Sequence, residues 1–334
     1  MSSGTIVVKV ESDRPHGRRN LGSLILLGVL AASVMMNLAL MASSAVSDSS
    51  LNAVRQVHRE GAVGAEAKIA VIRFSGTIMP PFTDRWIGQI RDAVDDDAVK
   101  GVLLEIDSPG GLVADSHQLY HELKKLQGVK PVYVAMKRMA ASGGYYVAMG
   151  AGPDAVVFAE PTTWTGSIGV ILPRYNAAEL ASKIGVKTEP LVTGPLKGSL
   201  SPFRDLREDE RLVWESIIDD SFQRFIAVIA DNRKSLDVES VKALATGQVY
   251  TATQALENGL VDKTGFVEDA IDELAEFLSL TNYEVVDYMS PTGLIEVLLG
   301  SQESSPGILD QLLEASVPRA FYYCSWNPVI PIHH

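Results

Sequence analysis

Arg138-Met139-Ala140-Ala141-Ser142-Gly143-Gly144-Tyr145-Tyr146-Val147-Ala148-Met149-Gly150 is the stretch that decides how the chain reads. It follows an alternating run, Pro131 to Lys137, in which Val132, Val134 and Met136 mark one face of a strand, and it opens into small residues that suit a helix start. Ser142 is therefore expected at a strand-to-helix turn. A tight turn lifts a hydroxyl clear of a sheet, and the first amides of the following helix offer hydrogen-bond donors, so the position suits a nucleophile. Serine is also a favoured helix N-cap, and paired glycines serve close packing equally well. The stretch lacks the first glycine of a Gly-x-Ser-x-Gly elbow, and Tyr145 excludes a Ser-x-x-Lys dyad, so any base must come from elsewhere in the chain.

Working outward, Gly101 to Ile106 reads as a short buried strand, followed by the turn Asp107-Ser108-Pro109-Gly110-Gly111 and a helix from Leu112 to Leu126. This repeats the β-turn-α unit. Repetition predicts a parallel sheet covered by helices, with its site in the loops beyond the strand carboxyl ends. Pro109-Gly110 suits an ordinary type II turn, but Gly110 or Gly111 could also present an amide to a developing oxyanion. Earlier, a strand over 69–74 and a helix over 83–94 are expected; later, a strand over 156–158. The uncharged segment Thr165-Gly166-Ser167-Ile168 could line a substrate channel with Ser108, and Ser167 is a second, weaker nucleophile candidate. Helices are further expected over 176–184, 209–232 and 266–280, and a strand over 188–192.

Lys197 is the one charge between Thr193 and Phe203. An isolated loop lysine is ordinarily just solvated, but desolvation favours the neutral form a base requires, and Pro195, Leu196, Leu200, Pro202 and Phe203 are apolar. Histidine offers the rival scheme through His117 and His121, one helical turn apart. A zinc-peptidase arrangement wants Glu after the first histidine, where Gln118 stands, so no metal site is expected.

The chain has 334 residues, 46% of them hydrophobic, and a formal net charge of −12 without clustered Lys and Arg in its body, which argues for a globular core and against nucleic-acid binding. The single cysteine, Cys324, allows no internal disulfide. Leu21 to Ala42 is apolar enough to span a membrane, with Arg14, His16, Arg18 and Arg19 before it and Asp48 the first charge after. This predicts a cytoplasmic segment over 1–20, an anchor over 21–42, a linker over 43–66 and an extracytoplasmic body over 67–301; cleavage near Ser43-Ser44-Ala45 is the competing reading. Pro306, Pro318, Pro328 and Pro331, with Phe321, Tyr322, Tyr323 and Trp326, give the tail 302–334 the character of a partly extended segment that docks on something.

Five motifs in order carry a resemblance. They are Ile106-Asp-Ser-Pro-Gly-Gly111, Ala140-Ala-Ser-Gly-Gly-Tyr-Tyr146, Thr165-Gly-Ser-Ile-Gly-Val170, Lys197 ahead of Ser201-Pro-Phe203, and Gly247-Gln-Val-Tyr-Thr251 with Gly259-Leu-Val-Asp262. From about Lys68 to Phe277 the chain resembles the signal peptide peptidase A proteins, serine proteases of the S49 group with a ClpP/crotonase-like α/β fold. The resemblance implies Ser142 as nucleophile, Lys197 as general base, and the Pro-Gly-Gly turn with Gly143 as oxyanion hole. It implies apolar or signal-peptide substrates, no cofactor, and a ring-like homo-oligomer, and it leaves His117 and His121 without a catalytic role. Gln248 and Ala252 depart from the family's usual Arg and Gly. A membrane scaffold without proteolysis and a crotonase-like acyl-CoA enzyme are the alternatives the same fold allows.

Overall fold

The computed structural model describes residues 28–30, 33–37, 54–289 and 321–323. The chain divides into two units, Met1–Leu51 and Asn52–His334. In the first, residues 28–30 and 33–37 are helical, and the Asn37 side-chain amide donates to the Ser33 carbonyl at 2.7 Å, one turn back. No helix among the described residues is long and apolar enough to cross a membrane. The rest of the 21–42 run, residues 1–20 and the Ser43-Ser44-Ala45 site lie outside the described residues, as do 302–320 and 324–334 of the tail.

The second unit is a mixed α/β layer structure. Its elements run β1 (Arg55–Gly61), β2 (Lys68–Ser75), α1 (Phe82–Asp95), β3 (Val99–Ser108), β4 (Gly110–Leu112), α2 (Val113–Gln127), β5 (Val132–Ala141), α3 (Gly143–Ala148), β6 (Val157–Ala159) and β7 (Trp164–Gly166). Then follow α4 (Ala178–Lys183), α5 (Glu208–Asn232), α6 (Val238–Leu244), β8 (Val249–Thr251), α7 (Ala252–Glu257), β9 (Lys263–Thr264), α8 (Val267–Phe277), β10 (Glu284–Met289) and β11 (Phe321–Tyr323). The main sheet orders its strands β1-β10-β2-β3-β5-β6-β9. All neighbours are parallel except β1 on β10, and β7 extends from β5 to carry β8 antiparallel.

Side chains alternate across the pleat, so each central strand serves two cores. Ala70, Ile72, Phe74, Val102, Leu104, Ile106, Val132, Val134 and Met136 belong to the larger core, with Ile90 of α1 and Leu119 and Leu123 of α2. Ile69, Val71, Leu103, Tyr133 and Ala135 face the other way, against Val267, Ile271 and Leu274 of α8. Burial on both faces is why β3 and β5 read as continuous apolar runs.

Three expectations change. The stretch taken as a linker holds β1, a polar edge strand whose Arg59 reaches Glu105 and Asp287, both at 3.2 Å; charged partners rather than apolar ones fix it. β10, which no pattern announced, fills the gap between β1 and β2 and buries Val285 and Val286. Residues 188–192 form no strand: Leu191 and Val192 are exposed, and no strand among the described residues pairs with them. The helix expected over 209–232 forms as α5; of its apolar residues Phe225, Ile226, Val228 and Ile229, all in its second half, are buried, while Leu212, Val213 and Ile217 are exposed.

Candidate active site

β5 runs straight into Ser142, and the turn is tighter than an N-cap. Ser142 has φ 54° and ψ −115°, and its side chain caps nothing. A positive φ on a non-glycine residue costs about 1–3 kcal/mol and persists only where neighbours impose it. Here they do. The Ser142 amide donates to the Gly166 carbonyl at 2.7 Å, and its carbonyl accepts from the Tyr146 amide at 2.9 Å. β7 holds the end of β5 residue by residue, Ala140 opposite Thr165 and Ala141 opposite Gly166. The Ser142 hydroxyl makes no hydrogen bond among the described residues, although the residue is only 1% exposed.

The Pro109-Gly110-Gly111 turn lies against this elbow. Gly110 has φ +100°, and its amide donates to Ser108 Oγ at 3.1 Å. Ile78 clamps the turn from the other side, donating to the Gly110 carbonyl and accepting from the Leu112 amide, both at 2.8 Å. A Cβ on Gly110 would stand 2.7 Å from the Gly143 nitrogen, and one on Gly143 would stand 3.0 Å from the Gly111 nitrogen. The two glycine turns thus converge, and only hydrogen atoms fit between them.

The structure brings Ser142, Gly110, Gly111, Gly143 and Gly166 together, with Ser108 beneath them. The candidate channel residues are buried. Thr165 Oγ1 donates to the Ala140 carbonyl at 2.7 Å, Ile168 is in the core, and the Ser167 amide, at φ 50°, donates to the Gln248 carbonyl at 2.8 Å. These groups hold the wall behind Ser142.

Lys197 is placed differently from the desolvated setting expected of it. It is exposed, and its ammonium makes no hydrogen bond or ion pair among the described residues; no bond joins it to Ser142. Its segment is braced from one side. Arg204 donates to the Gly198 carbonyl at 2.7 Å and Arg207 to the Pro195 carbonyl at 3.2 Å, while the indole of Trp214 donates to Ser199 Oγ at 2.9 Å. Arg204 in turn grips the fully buried Glu210 at 2.5 and 2.8 Å. Those hydrogen bonds, with the Arg207 amide, hold the Glu210 carboxyl down to about 2.

His117 has a structural partner. Its Nδ1 lies 2.7 Å from the Tyr146 hydroxyl, and burial, with Arg224 and His121 adding, holds it below the usual imidazole range. Among the described residues no three His, Cys, Asp or Glu side chains cluster as a metal site.

One feature escaped the sequence reading. β11 pairs antiparallel with β4, Tyr322 opposite Gly111, directly over the glycine turns. On its other edge Phe321 exchanges two backbone hydrogen bonds with Ile171, at 2.9 and 3.0 Å. The Tyr322 ring is fully buried between Tyr146 and Phe225, with centroids at 5.0 and 4.6 Å. The aromatic cluster between prolines signalled docking, but nothing in it named the acceptor.

Comparison with known proteins now bears on this geometry. The model of peptidase family S49 matches residues 124–281. The chain is 40% identical over 219 residues to a putative signal peptide peptidase SppA of Enterococcus faecium, covering 65% of this chain and 62% of that protein. It is 33% identical over 259 residues to Protease 4 of Salmonella typhi, covering 75% of this chain and 41% of that protein. In both relatives the match spans less than two thirds of the length. A putative protease of Synechocystis is matched more completely, at 37% identity over 247 residues, 73% of this chain and 87% of that protein. On that coverage, the chain belongs to peptidase family S49.

Proposed function

We propose that the chain is a serine endopeptidase of ClpP/crotonase-like architecture whose nucleophile is Ser142. The observation that carries this is the Ser142 elbow: a positive φ at the end of β5, a hydroxyl that no other group among the described residues engages, and the Gly111 and Gly143 backbones converging beside it. Strain held in place by neighbours is characteristic of a reactive position. Lys197 is the base. Its Nζ takes the Ser142 proton as Oγ bonds to the substrate carbonyl carbon, and the Gly111 and Gly143 amides hold the oxyanion, each such donor being worth roughly 3 kcal/mol. The C–N bond breaks as Lys197 returns the proton to the leaving amine. Water, deprotonated by Lys197, then splits the ester and frees Ser142.

The base must lie against Ser142, so this assignment requires the 193–203 segment, on which Lys197 is exposed in the single chain, to close over the serine. The exposed apolar residues Leu180, Ile184, Leu191, Leu212 and Ile217 support a cover formed by neighbouring copies in a ring. The apolar Leu21–Ala42 run supports a membrane anchor with the body outside, and the signal peptide peptidase name carried by the Enterococcus relative supports remnant signal peptides as substrates.

The test is hydrolysis of a fluorogenic apolar peptide by the full chain, with Ser142→Ala and Lys197→Ala compared. Both variants are expected to lose at least about a thousandfold in kcat. Activity surviving in Ser142→Ala ends the reading, and activity surviving in Lys197→Ala alone removes the lysine from it.

A further inference from the structure

Glu210 is a fully buried carboxylate in the first turn of α5, and the proposed chemistry leaves it without a role. Taking a charge out of water is costly, so a carboxylate kept in such a place points to a geometry that it holds. Its partners show which. Arg204 donates to it at 2.5 and 2.8 Å, and Arg207 reaches it through the backbone amide at 3.0 Å and the guanidinium at 3.3 Å. The same two guanidiniums continue to the segment of the base, Arg204 to the Gly198 carbonyl at 2.7 Å and Arg207 to the Pro195 carbonyl at 3.2 Å. Those carbonyls bracket Lys197. Arg174 extends the grip to the Ser201 and Arg204 carbonyls, at 3.2 and 2.6 Å. Between the clamped carbonyls the chain turns tightly, the Lys197 amide donating to the Gly194 carbonyl at 3.1 Å and the Ser199 amide to the Leu196 carbonyl at 3.2 Å. The backbone of Lys197 is therefore held on both sides by guanidiniums that share one carboxylate.

Resting on the peptidase reading above, with Lys197 as base, we propose that Glu210 is the positioning residue of that base. It fixes Arg204 and Arg207, so that the 193–203 segment closes over Ser142 as a preformed block with the Lys197 Nζ already aimed. A loosely held segment must be ordered in every turnover, whereas one braced beforehand loses less entropy at closure. The hydrogen bonds of Glu210 go to Arg204 and Arg207, and none joins it to Ser142 or the glycine turns among the described residues. Its contribution accordingly falls on kcat, and passes through Lys197.

The test separates aim from stability. kcat and KM for a fluorogenic apolar peptide are measured on the full chain as native, Glu210→Gln, Arg204→Lys and Lys197→Ala, each well below its own melting temperature. Gln keeps the size of the side chain and gives up its charge. Lys keeps a charge opposite Glu210 but loses the fork that spans that carboxylate and the Gly198 carbonyl. Both variants are expected to lower kcat about 30- to 100-fold with KM within about threefold, the scale of a base displaced by about 1 Å. Asp262→Ala strands the buried Arg233 elsewhere in the same unit, controls for lost stability, and should leave kcat within about threefold. Coupling gives the readout that a merely structural role would not move. With a p-nitrophenyl ester of the same peptide, reactive enough to follow without the base, Glu210→Gln should change the rate of Lys197→Ala by less than about twofold. Native kcat in either variant that folds, an equal loss in Asp262→Ala, or an undiminished effect of Glu210→Gln in the Lys197→Ala background overturns the proposal, and with Lys197→Ala inactive on peptide it keeps the peptidase. Full peptide hydrolysis by Lys197→Ala instead removes the lysine from the reading, and the role of Glu210 with it.

Discussion

Replacing Gly143 by alanine puts a methyl group at the point on which the proposed catalysis converges. The new Cβ would lie 2.6 Å from Ser116 Oγ, 3.0 Å from the Gly111 nitrogen and 3.0 Å from the Tyr322 carbonyl oxygen. The Ser116 contact is tight but can yield, because that hydroxyl, bonded to the Leu112 carbonyl at 2.9 Å, is a single rotatable atom. Overpacking of this kind costs about 1–3 kcal/mol, which for a domain of this size lowers Tm by roughly 2–10 °C. The contact with the Gly111 amide cannot yield, since Ile78 clamps that turn on both sides. The methyl therefore occupies the proposed oxyanion position, and loss of such donors lowers kcat by about 10²–10³. The assay is peptide hydrolysis beside a thermal melt, for Gly143→Ala and for Ser116→Ala/Gly143→Ala. The double variant relieves the steric contact and should regain stability while remaining inactive. If Gly143→Ala keeps kcat within about threefold, or if the double variant restores it, the glycine turns do not hold the oxyanion and the reasoning fails.

Other expectations follow from the groups around the site. Glu210 is held down to about 2 by Arg204, so its contribution to stability is complete above the ordinary carboxylate range near about 4.5 and is lost as pH falls towards 2. Melting of the native chain should fall across that window, Glu210→Gln should show less of the fall, and a parallel decline in both would show that other carboxylates dominate. Arg233, 6% exposed, donates to Asp262 at 2.9 and 2.7 Å and to the Gly259 carbonyl at 2.9 Å. Asp262→Ala strands that buried cation and should cost about 3 kcal/mol in urea unfolding, and a change under about 1 kcal/mol would mean that water replaces the carboxylate.

The β-turn-α units were legible because their strands are buried on both faces, so Val102-Leu103-Leu104 and Val132 to Met136 write hydrophobicity directly into the sequence. Ser142 was legible as a turn but ambiguous as a cap, since the two differ in a backbone angle that composition does not encode. β1 hid because an edge strand fixed by ion pairs looks like a polar linker: His58 bonds Glu284 at 3.0 Å, and Arg59 bonds Glu105 and Asp287. The Lys197 surroundings misled for the opposite reason. Apolar neighbours in sequence suggested burial, yet Leu196 and Phe203 are exposed in the single chain. The docking of Tyr322 on Gly111 joins segments so far apart that no local pattern could announce it.

The position of β10 has a bearing on how this chain comes to be folded. Residues 284–288 pair with 68–72, and among the described strands β1 then pairs only with β10. On a ribosome, β2 emerges with an open edge that stays unpartnered until more than half of the chain has followed. At about 5–20 residues per second, that exposure lasts on the order of 10–40 s. Until then Lys68, Gln56 and the charged face of β1 have no sheet to join, and the hydrophobic edge of β2 is available to any other extended strand. Chains ending before Glu284 should accordingly be captured by chaperones or aggregate, and the sheet should close as one late, cooperative step after synthesis has passed Met289.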